Sequence, residues 1–242
     1  MVLVAVGSIG GSPGVTTLCT ALAAQWPREC VVVEADPDGG RLAARLELGV
    51  RPGLTDLGAA CRKGGEVPED ALWRFAQRSS AGVVVVPSHP GADQVQALLR
   101  GAAEPLANWC VTCRAHDVIA DVGRLRPGSP AAAIVRAAHR RLVVVRAEAE
   151  DVVALVHRRE LLTALGGVEV VLVRGAYAPR EVADALPWPV VAAIGAGRGS
   201  ARARRRAVRR LAADLAADIA PDATADRGAD AAEAREPAAA ER

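Results

Sequence analysis

The sequence predicts an α/β fold, with a doubly wound, mostly parallel sheet and helices on both faces. Short β-branched runs recur along the chain, and most are continuously apolar, which is typical of strands buried on both faces of a parallel sheet. Stretches with helical spacing of apolar residues, such as Leu18, Leu22 and Trp26, separate these runs. Because aromatic residues make up only 2% of the chain, we expect a core of Val, Leu, Ala and Ile.

The apolar runs predict about seven strands in one domain over residues 1–220. In such a sheet, ligands bind at the carboxyl ends of the strands, so the loops after Val6, Val33 and Ala120 are the places to search. The runs are Val2 to Val6, Val31 to Val33, Val83 to Val86, Val118 to Ala120, Leu142 to Val145, Val170 to Val173 and Val190 to Ile194.

The last part of the chain departs from this pattern. Residues 199–220 predict a closing helix, with Val208, Leu211, Ala212, Leu215 and Ile219 on one face. Residues 221–242 contain Ala, Asp, Glu and Arg but no large apolar residue, so they cannot form a core. We therefore expect a disordered tail over 221–242.

The composition favours a cytoplasmic protein and argues against a membrane partner. No apolar run approaches the roughly 20 residues of a membrane span, and the start of the chain lacks the basic region of a signal peptide. The five cysteines are an odd number at irregular spacing, which argues against a disulfide framework. Cys110 and Cys113 have metal-ligand spacing, but no second pair completes a zinc site.

A glycine-rich loop follows the first predicted strand and opens a helix, over residues 7–18. Backbone N–H groups converge in such a loop, and the helix dipole adds partial positive charge, so it can cradle phosphates. Thr16 offers a hydroxyl to a Mg²⁺ ion that bridges phosphates, and Thr17 offers a further donor. The alternative is a plain turn between strand and helix, with threonines that cap the helix.

Acidic residues follow two further predicted strands. Glu34, Asp36 and Asp38 come after the second run, and Asp121 ends the fourth. Carboxylates at neighbouring strand ends suit a Mg²⁺–phosphate site, either directly or through bound water. The alternative for each is a surface carboxylate that caps the next helix.

With these motifs in this order, the chain resembles the MinD/ParA family of deviant-Walker P-loop ATPases over residues 1 to 219. It is most similar to the divergent branch that includes pilus-assembly localisation proteins and actinobacterial septum-site-like proteins. The resemblance implies a P-loop NTPase fold, ATP or ADP with Mg²⁺, a homodimer and an unidentified protein partner. The implied role is positional or regulatory, in partition, septum-site or pilus and secretion positioning.

The resemblance also implies roles for individual residues. Asp36 matches the acid that orients the attacking water, Glu34 the first acid of that pair, and Asp121 the Walker B aspartate, which holds Mg²⁺ with Thr16. Arg174 lies where the family reads the base. The loop residues that would hold the nucleotide phosphates are Gly10, Gly11, Ser12, Pro13, Gly14, Val15, Thr16 and Thr17.

The chain departs from the family at charged positions. The family loop reads Gly-Lys-Gly-Gly-x-Gly-Lys-Thr-Thr, but Gly10 and Val15 replace its two lysines, and the only lysine, Lys63, is not at a family position. Losing one charge-assisted hydrogen bond weakens binding about 10- to 100-fold, and phosphoryl transfer needs positive charge in the transition state. We therefore expect a weak ATPase at most. Arg174 replaces the usual Asn, so the adenine preference rests on the resemblance alone.

An arginine-rich run gives a second hypothesis about function. Arg198 and six further arginines fall within thirteen residues that contain no acid. A packed helix with solvated arginines is the reading we favour, ahead of a DNA-phosphate patch, and an interfacial helix on anionic lipid comes last. The alternative function is a non-sequence-specific DNA-binding partition factor that uses Arg202, Arg204, Arg205, Arg206, Arg209 and Arg210.

Overall fold

An eight-stranded sheet organises the computed structural model, which describes residues 1–11, 13–63, 68, 70–112, 115–195 and 200–217. Its strands are β1 (Leu3–Ser8), β2 (Cys30–Glu34), β3 (Gln77–Arg78), β4 (Val84–Val86), β5 (Asp117–Arg124), β6 (Arg140–Ala147), β7 (Glu169–Gly175) and β8 (Val190–Ile194). They lie in the order β3-β4-β2-β5-β1-β6-β7-β8. β3 pairs antiparallel with β4, and the other neighbours pair parallel.

This topology confirms the predicted α/β class and the mostly parallel sheet. Each of the seven apolar runs forms a strand. The eighth strand, β3, was missed because its two residues, Gln77 and Arg78, are polar and lie at the edge of the sheet, where burial imposes no apolar pattern.

Helices cover both faces of the sheet. α1, α2 and α10 contribute to one core cluster, and α3 to α9 contribute to the other. The helices are α1 (Val15–Ala23), α2 (Leu42–Arg45), α3 (Leu54–Arg62), α4 (Ala71–Arg74), α5 (Ala92–Thr112), α6 (Ala132–Ala137), α7 (Ala149–His157), α8 (Arg159–Ala164), α9 (Pro179–Ala185) and α10 (Ala201–Ala217).

The alternation of side chains along β1 explains its continuous apolar sequence. Leu3 and Ala5 belong to the cluster under α3 to α9, whereas Val2, Val4 and Val6 belong to the cluster under α1 and α10. Because both faces of the sheet are covered here, every residue from Val2 to Val6 is apolar and nearly fully buried.

α10 closes the second face, as the sequence predicts. Its buried residues include Val208, Leu211, Ala212 and Leu215. The fifth predicted residue, Ile219, and the predicted tail over 221–242 lie outside the described residues. Within the described residues, no helix combines the length and the apolar character that crossing a membrane requires.

A buried carboxylate at the start of β5 ties three parts of the fold together. Asp117 accepts hydrogen bonds from the Val2 N–H at 2.7 Å, from Trp26 Nε1 at 2.7 Å and from Arg28 Nε at 2.9 Å. Arg28 also donates from Nη1 to the carbonyl oxygen of Ala216 at 3.1 Å. The same arginine therefore links β5 to the end of α10.

We expect Asp117→Ala to lower the free energy of unfolding by about 3–5 kcal/mol, because the variant leaves buried donors and a guanidinium without their acceptor. Urea denaturation measures the change. Asp184→Ala, which removes an exposed carboxylate from α9, should stay within about 0.5 kcal/mol of the parent. Equal losses in the two variants would contradict the role assigned to Asp117.

Candidate functional site

A cleft of about 390 Å³ opens at the carboxyl ends of the central strands. Gly11 borders a smaller cavity beside the cleft, and Ser12 lies outside the described residues. The structure thus brings most of the predicted site together at one edge of the sheet. The predicted site residues that line the cleft are Gly10, Pro13, Gly14, Val15, Thr16, Thr17, Asp36 and Arg174.

The glycine-rich loop leads into an uncapped helix N-terminus. Gly14 has φ +107°, a left-handed conformation that glycine adopts readily, and its carbonyl accepts the Leu18 N–H at 2.8 Å. Among the described residues, no side chain caps α1. The first N–H groups of a helix have no partner within the helix, so this end of α1 can receive an anion.

Gly10 and Val15 hold the two positions at which the resemblance implies lysines. Val15 is buried and packs in the same cluster as Val6 and Leu18, so the first turn of α1 brings no charge to the cleft. A Cβ at Gly10 would lie 3.2 Å from Asp151 Oδ1. That carboxylate pairs with Arg146, 2.5 Å from Oδ2 to Nε.

Asp121 lies fully buried near the end of β5. Its Oδ1 accepts the Gly123 N–H at 3.1 Å, whereas Oδ2 has no hydrogen-bond partner among the described residues. The pKa of this carboxyl is raised to about 7, chiefly by burial and to a smaller extent by the charges of Asp36 and Glu34. The Thr16 hydroxyl and the Gly123 N–H oppose the shift.

Asp36 reaches the cleft from the loop after β2. Its Oδ1 accepts the Asp38 N–H at 2.9 Å, and desolvation raises its pKa. Gly123 has φ +59°, and a Cβ there would lie 2.0 Å from Asp36 Oδ1. Only glycine at position 123 leaves room for this carboxylate.

The carboxylate of Glu34 holds neighbouring backbone segments together. Its carboxylate is buried and accepts N–H groups from Arg41 at 2.6 Å, Leu42 at 2.9 Å and Ser88 at 2.9 Å. These bonds anchor the end of β2 to the start of α2 and to the segment after β4. Neither Glu34 nor the fully buried Asp121 is among the residues that line the cleft. Glu34 differs from Asp121 in that both of its carboxylate oxygens already accept backbone N–H groups.

Sequence reasoning missed four arginines that line the cleft: Arg41, Arg45, Arg124 and Arg146. Arg146 follows the apolar run of β6 directly, and Arg124 ends β5. For Arg146, the position directly after a predicted strand was a usable signal, because the carboxyl ends of parallel strands meet at one edge. Arg124 gave no such signal, because it lies four residues beyond the predicted run Val118 to Ala120.

A second cavity of about 440 Å³ adjoins the loop on the α10 side. Leu18, Val173 and Ile194 give it apolar walls, and Arg174 and Arg204 also line it. Arg174 therefore lies between the two cavities, since it borders both. Guanidinium groups only donate hydrogen bonds, so this cavity lacks the acceptor–donor pair of an Asn side chain at position 174.

The predicted DNA-binding arginines lie on α10. Arg202, Arg205, Arg206, Arg209 and Arg210 are exposed. Arg204 differs, because it reaches the second cavity and a Cβ at Gly195 would lie 3.0 Å from its Cδ. Arg198 lies outside the described residues. DNA binding by this surface stays a prediction.

The described residues fit a Mg²⁺ ion bound together with phosphate. No three His, Cys, Asp or Glu side chains cluster as a metal site within the described residues. Mg²⁺ does not need such a cage, because it commonly uses one or two protein oxygens together with phosphate and water. The unpartnered Asp121 Oδ2 and the adjacent Thr16 hydroxyl provide such oxygens.

The described cysteines Cys19, Cys30, Cys61 and Cys110 are buried thiols, and Cys113 lies outside the described residues.

Comparison with solved structures confirms the resemblance at the level of fold. A ParA family ATPase from Chlorobium tepidum matches with a TM-score of 0.69 at 13% identity, over 88% of this chain and 98% of that one. MinD from Pyrococcus horikoshii, solved with Mg-ADP, matches with a TM-score of 0.65 at 15% identity, over 88% and 95%. The MinC:MinD complex from Aquifex aeolicus matches with a TM-score of 0.66 at 14% identity, over 91% and 98%.

At these identities the likeness establishes the fold alone. No protein-family model matches the chain, and no curated protein matches it. The chain therefore has the MinD/ParA-like P-loop fold, and its activity has to be argued from its own residues.

We expect Gly123→Ala to destabilise the protein by about 1–3 kcal/mol more than Gly128→Ala does, because only the first variant collides with Asp36. Both glycines have positive φ, and a Cβ at Gly128 meets nothing within 4 Å, so the backbone cost is matched. Urea denaturation of the two variants isolates the steric term. Equal stabilities would show that Asp36 is not held against Gly123.

We expect the free energy of unfolding to fall as the pH rises from 5 to 7, by at most about 1.4 kcal/mol per pH unit from Asp121. The folded state keeps a proton on this carboxyl up to a pKa of about 7, whereas the unfolded chain releases it near the ordinary value of 3.8. The folded state therefore binds more protons in this window. The raised pKa values of Glu34 and Asp36 act in the same direction.

Urea denaturation at pH 5, 6 and 7 measures this dependence. Asp121→Asn, a neutral isostere, should flatten it. Asp38→Asn, which removes an exposed carboxylate from the same cleft, should preserve it. A dependence that Asp121→Asn leaves unchanged would assign the titration to another group.

Proposed function

We propose that this chain is a degenerate MinD/ParA-like nucleotide-binding protein that acts as a positional or regulatory scaffold, with weak or no ATP hydrolysis. The observation that carries the proposal is the buried Asp121 carboxylate, whose Oδ2 has no hydrogen-bond partner among the described residues. The glycine loop has Gly10 and Val15 where the resemblance implies lysines. The site retains oxygen ligands for a cation but lacks the lysine charge that family members use in hydrolysis.

The first turn of α1 and the loop before it would receive the nucleotide phosphates. The uncapped helix N-terminus offers N–H groups to an anion, and Thr17 lines the same cleft. Thr16 and Asp121 would hold the ion. The ion they would hold would offset part of the negative charge of the phosphates. The Mg-ADP in the Pyrococcus horikoshii MinD structure supports ATP or ADP with Mg²⁺ as the ligand class.

Slow hydrolysis follows from the side chains at the two lysine positions. Val15 is apolar and buried, and Gly10 has no side chain. Asp36 would still orient a water molecule, and because desolvation raises its pKa, its carboxylate is a stronger base than an exposed aspartate. A positioned water cannot by itself replace the positive charge that stabilises phosphoryl transfer.

A scaffold acts by binding other proteins through its surfaces rather than by turning over ATP. We propose a homodimer that depends less on nucleotide than in the family, because Gly10 cannot reach across to a partner's phosphates. The MinC:MinD complex supports binding of a further protein, whose identity is open. Partition, septum-site or pilus and secretion positioning is the proposed cellular setting, in the cytoplasm.

We expect isothermal titration calorimetry to detect Mg²⁺-dependent binding of ATP and ADP, with phosphate release close to background. Thr16→Ala and Asp121→Ala should each weaken binding about 10-fold or more, because each removes an oxygen ligand of the ion. Thr163→Ala, which alters an exposed threonine on α8, should bind like the parent. Absence of binding at millimolar nucleotide would overturn the nucleotide part of the proposal.

A further inference from the structure

Two guanidinium groups flank the glycine loop, one on each side. β1, which leads into the loop, lies between β5 and β6 in the sheet. Ser8, the last residue of β1, pairs with Arg124 of β5 on one side and with Val144 of β6 on the other. Arg124 and, two residues beyond Val144, Arg146 both line the cleft.

Arg124 rests against the loop backbone. A Cβ at Gly11 would lie 3.1 Å from Arg124 Nη2, so this guanidinium occupies the space beside the loop that a larger residue at 11 would fill. The side chain is half-buried, whereas Arg41, Arg45 and Arg174 in the same cleft are exposed. Because the residue belongs to β5 and Leu125 donates its N–H to the Ser8 carbonyl at 2.8 Å, its backbone position is fixed.

Arg124 and Arg146 differ in whether a carboxylate pairs with their guanidinium group. The guanidinium of Arg146 pairs with the Asp151 carboxylate through Nε and Nη2, so most of its charge is offset. The next arginine along the chain, Arg126, pairs with Asp38 at 2.8 Å. The Arg124 guanidinium makes no hydrogen bond or ion pair with any described residue. It is therefore the half-buried cation of the cleft whose charge remains available.

We propose that Arg124 takes over polyphosphate binding from the lysines missing at Gly10 and Val15. The inference rests on the proposed nucleotide site and names the side chain that completes it. The ligand class is a di- or triphosphate chain seated between the α1 N-terminus and the β5 end. Arg146, held by Asp151, shapes the opposite side of the loop.

An arginine at this position binds phosphate differently from a loop lysine. Its planar guanidinium presents fixed donors that match two phosphate oxygens at once, and it stays charged at any ordinary pH. Because the Arg124 side chain is already half-buried against the loop, it loses less conformational freedom on binding than an exposed arginine does. The arrangement favours affinity for the phosphate chain.

The test measures binding of Mg-ATP and, separately, of inorganic tripolyphosphate with Mg²⁺ by calorimetry. Arg124→Ala should weaken both about 10- to 100-fold, the effect of one charge-assisted contact. Arg124→Lys should recover part of the loss, because it keeps the charge without the planar donors. Arg180→Ala, at an exposed arginine of α9, should stay within about twofold of the parent. Thermal unfolding of each unliganded variant checks that the fold is intact.

The outcomes separate this inference from the proposed function. If the parent binds Mg-ATP and Arg124→Ala binds equally well, the inference is overturned and the proposed function stands. If tripolyphosphate binds in an Arg124-dependent way and Mg-ATP does not bind, the inference stands and the nucleotide function is overturned. If neither probe binds at millimolar concentration, both are overturned. Loss of both probes in Arg124→Ala, with partial recovery in Arg124→Lys, supports both.

Discussion

The parallel pairing of β1 with β5 on one side and β6 on the other is the constraint on which the cleft depends. This register places the end of β1 beside Arg124 and Val144, so whatever follows β1 must leave the sheet between those two strand ends. The pairing of β5 with β2 then sets Asp121 beside Glu34. The loop, the carboxylates and the arginines lie together because the hydrogen-bond ladders fix where each strand stops.

Much of this arrangement could be predicted because it depends on local sequence. Continuous apolar runs identified seven strands, since a strand covered on both faces admits few polar residues. Asp36, Asp121 and the glycine loop stood out because each follows such a run. The polar strand β3 carries no comparable signal, because a two-residue edge strand needs neither burial nor alternation.

The features that could not be predicted depend on contacts between residues distant in sequence, or on differences between residues that look alike in the sequence. Glu34 gave the same signal as Asp36, yet its carboxylate is bound by N–H groups that include that of Ser88, 54 residues away. Arg124 and Arg146 both lie at the carboxyl ends of strands. They differ because Asp151 pairs with the guanidinium of Arg146, whereas that of Arg124 has no such partner among the described residues. No spacing rule encodes that difference.

The burial of Asp121 determines the protonation state of the carboxyl beside the cleft. An ionised carboxylate in this position, with Asp36 and Glu34 nearby, would be costly, and the raised pKa shows that the carboxyl keeps its proton up to about pH 7. In the proposed site, Asp121 would have to release this proton before its Oδ2 could hold a cation, so cation binding would be coupled to proton release. The Val15 side chain adds no charge to the cleft, and Arg124 lines the cleft beside Gly11. In the proposed site, affinity for a Mg²⁺–phosphate ligand would therefore depend on proton release at Asp121 and on phosphate contact at Arg124, and neither contribution requires hydrolysis.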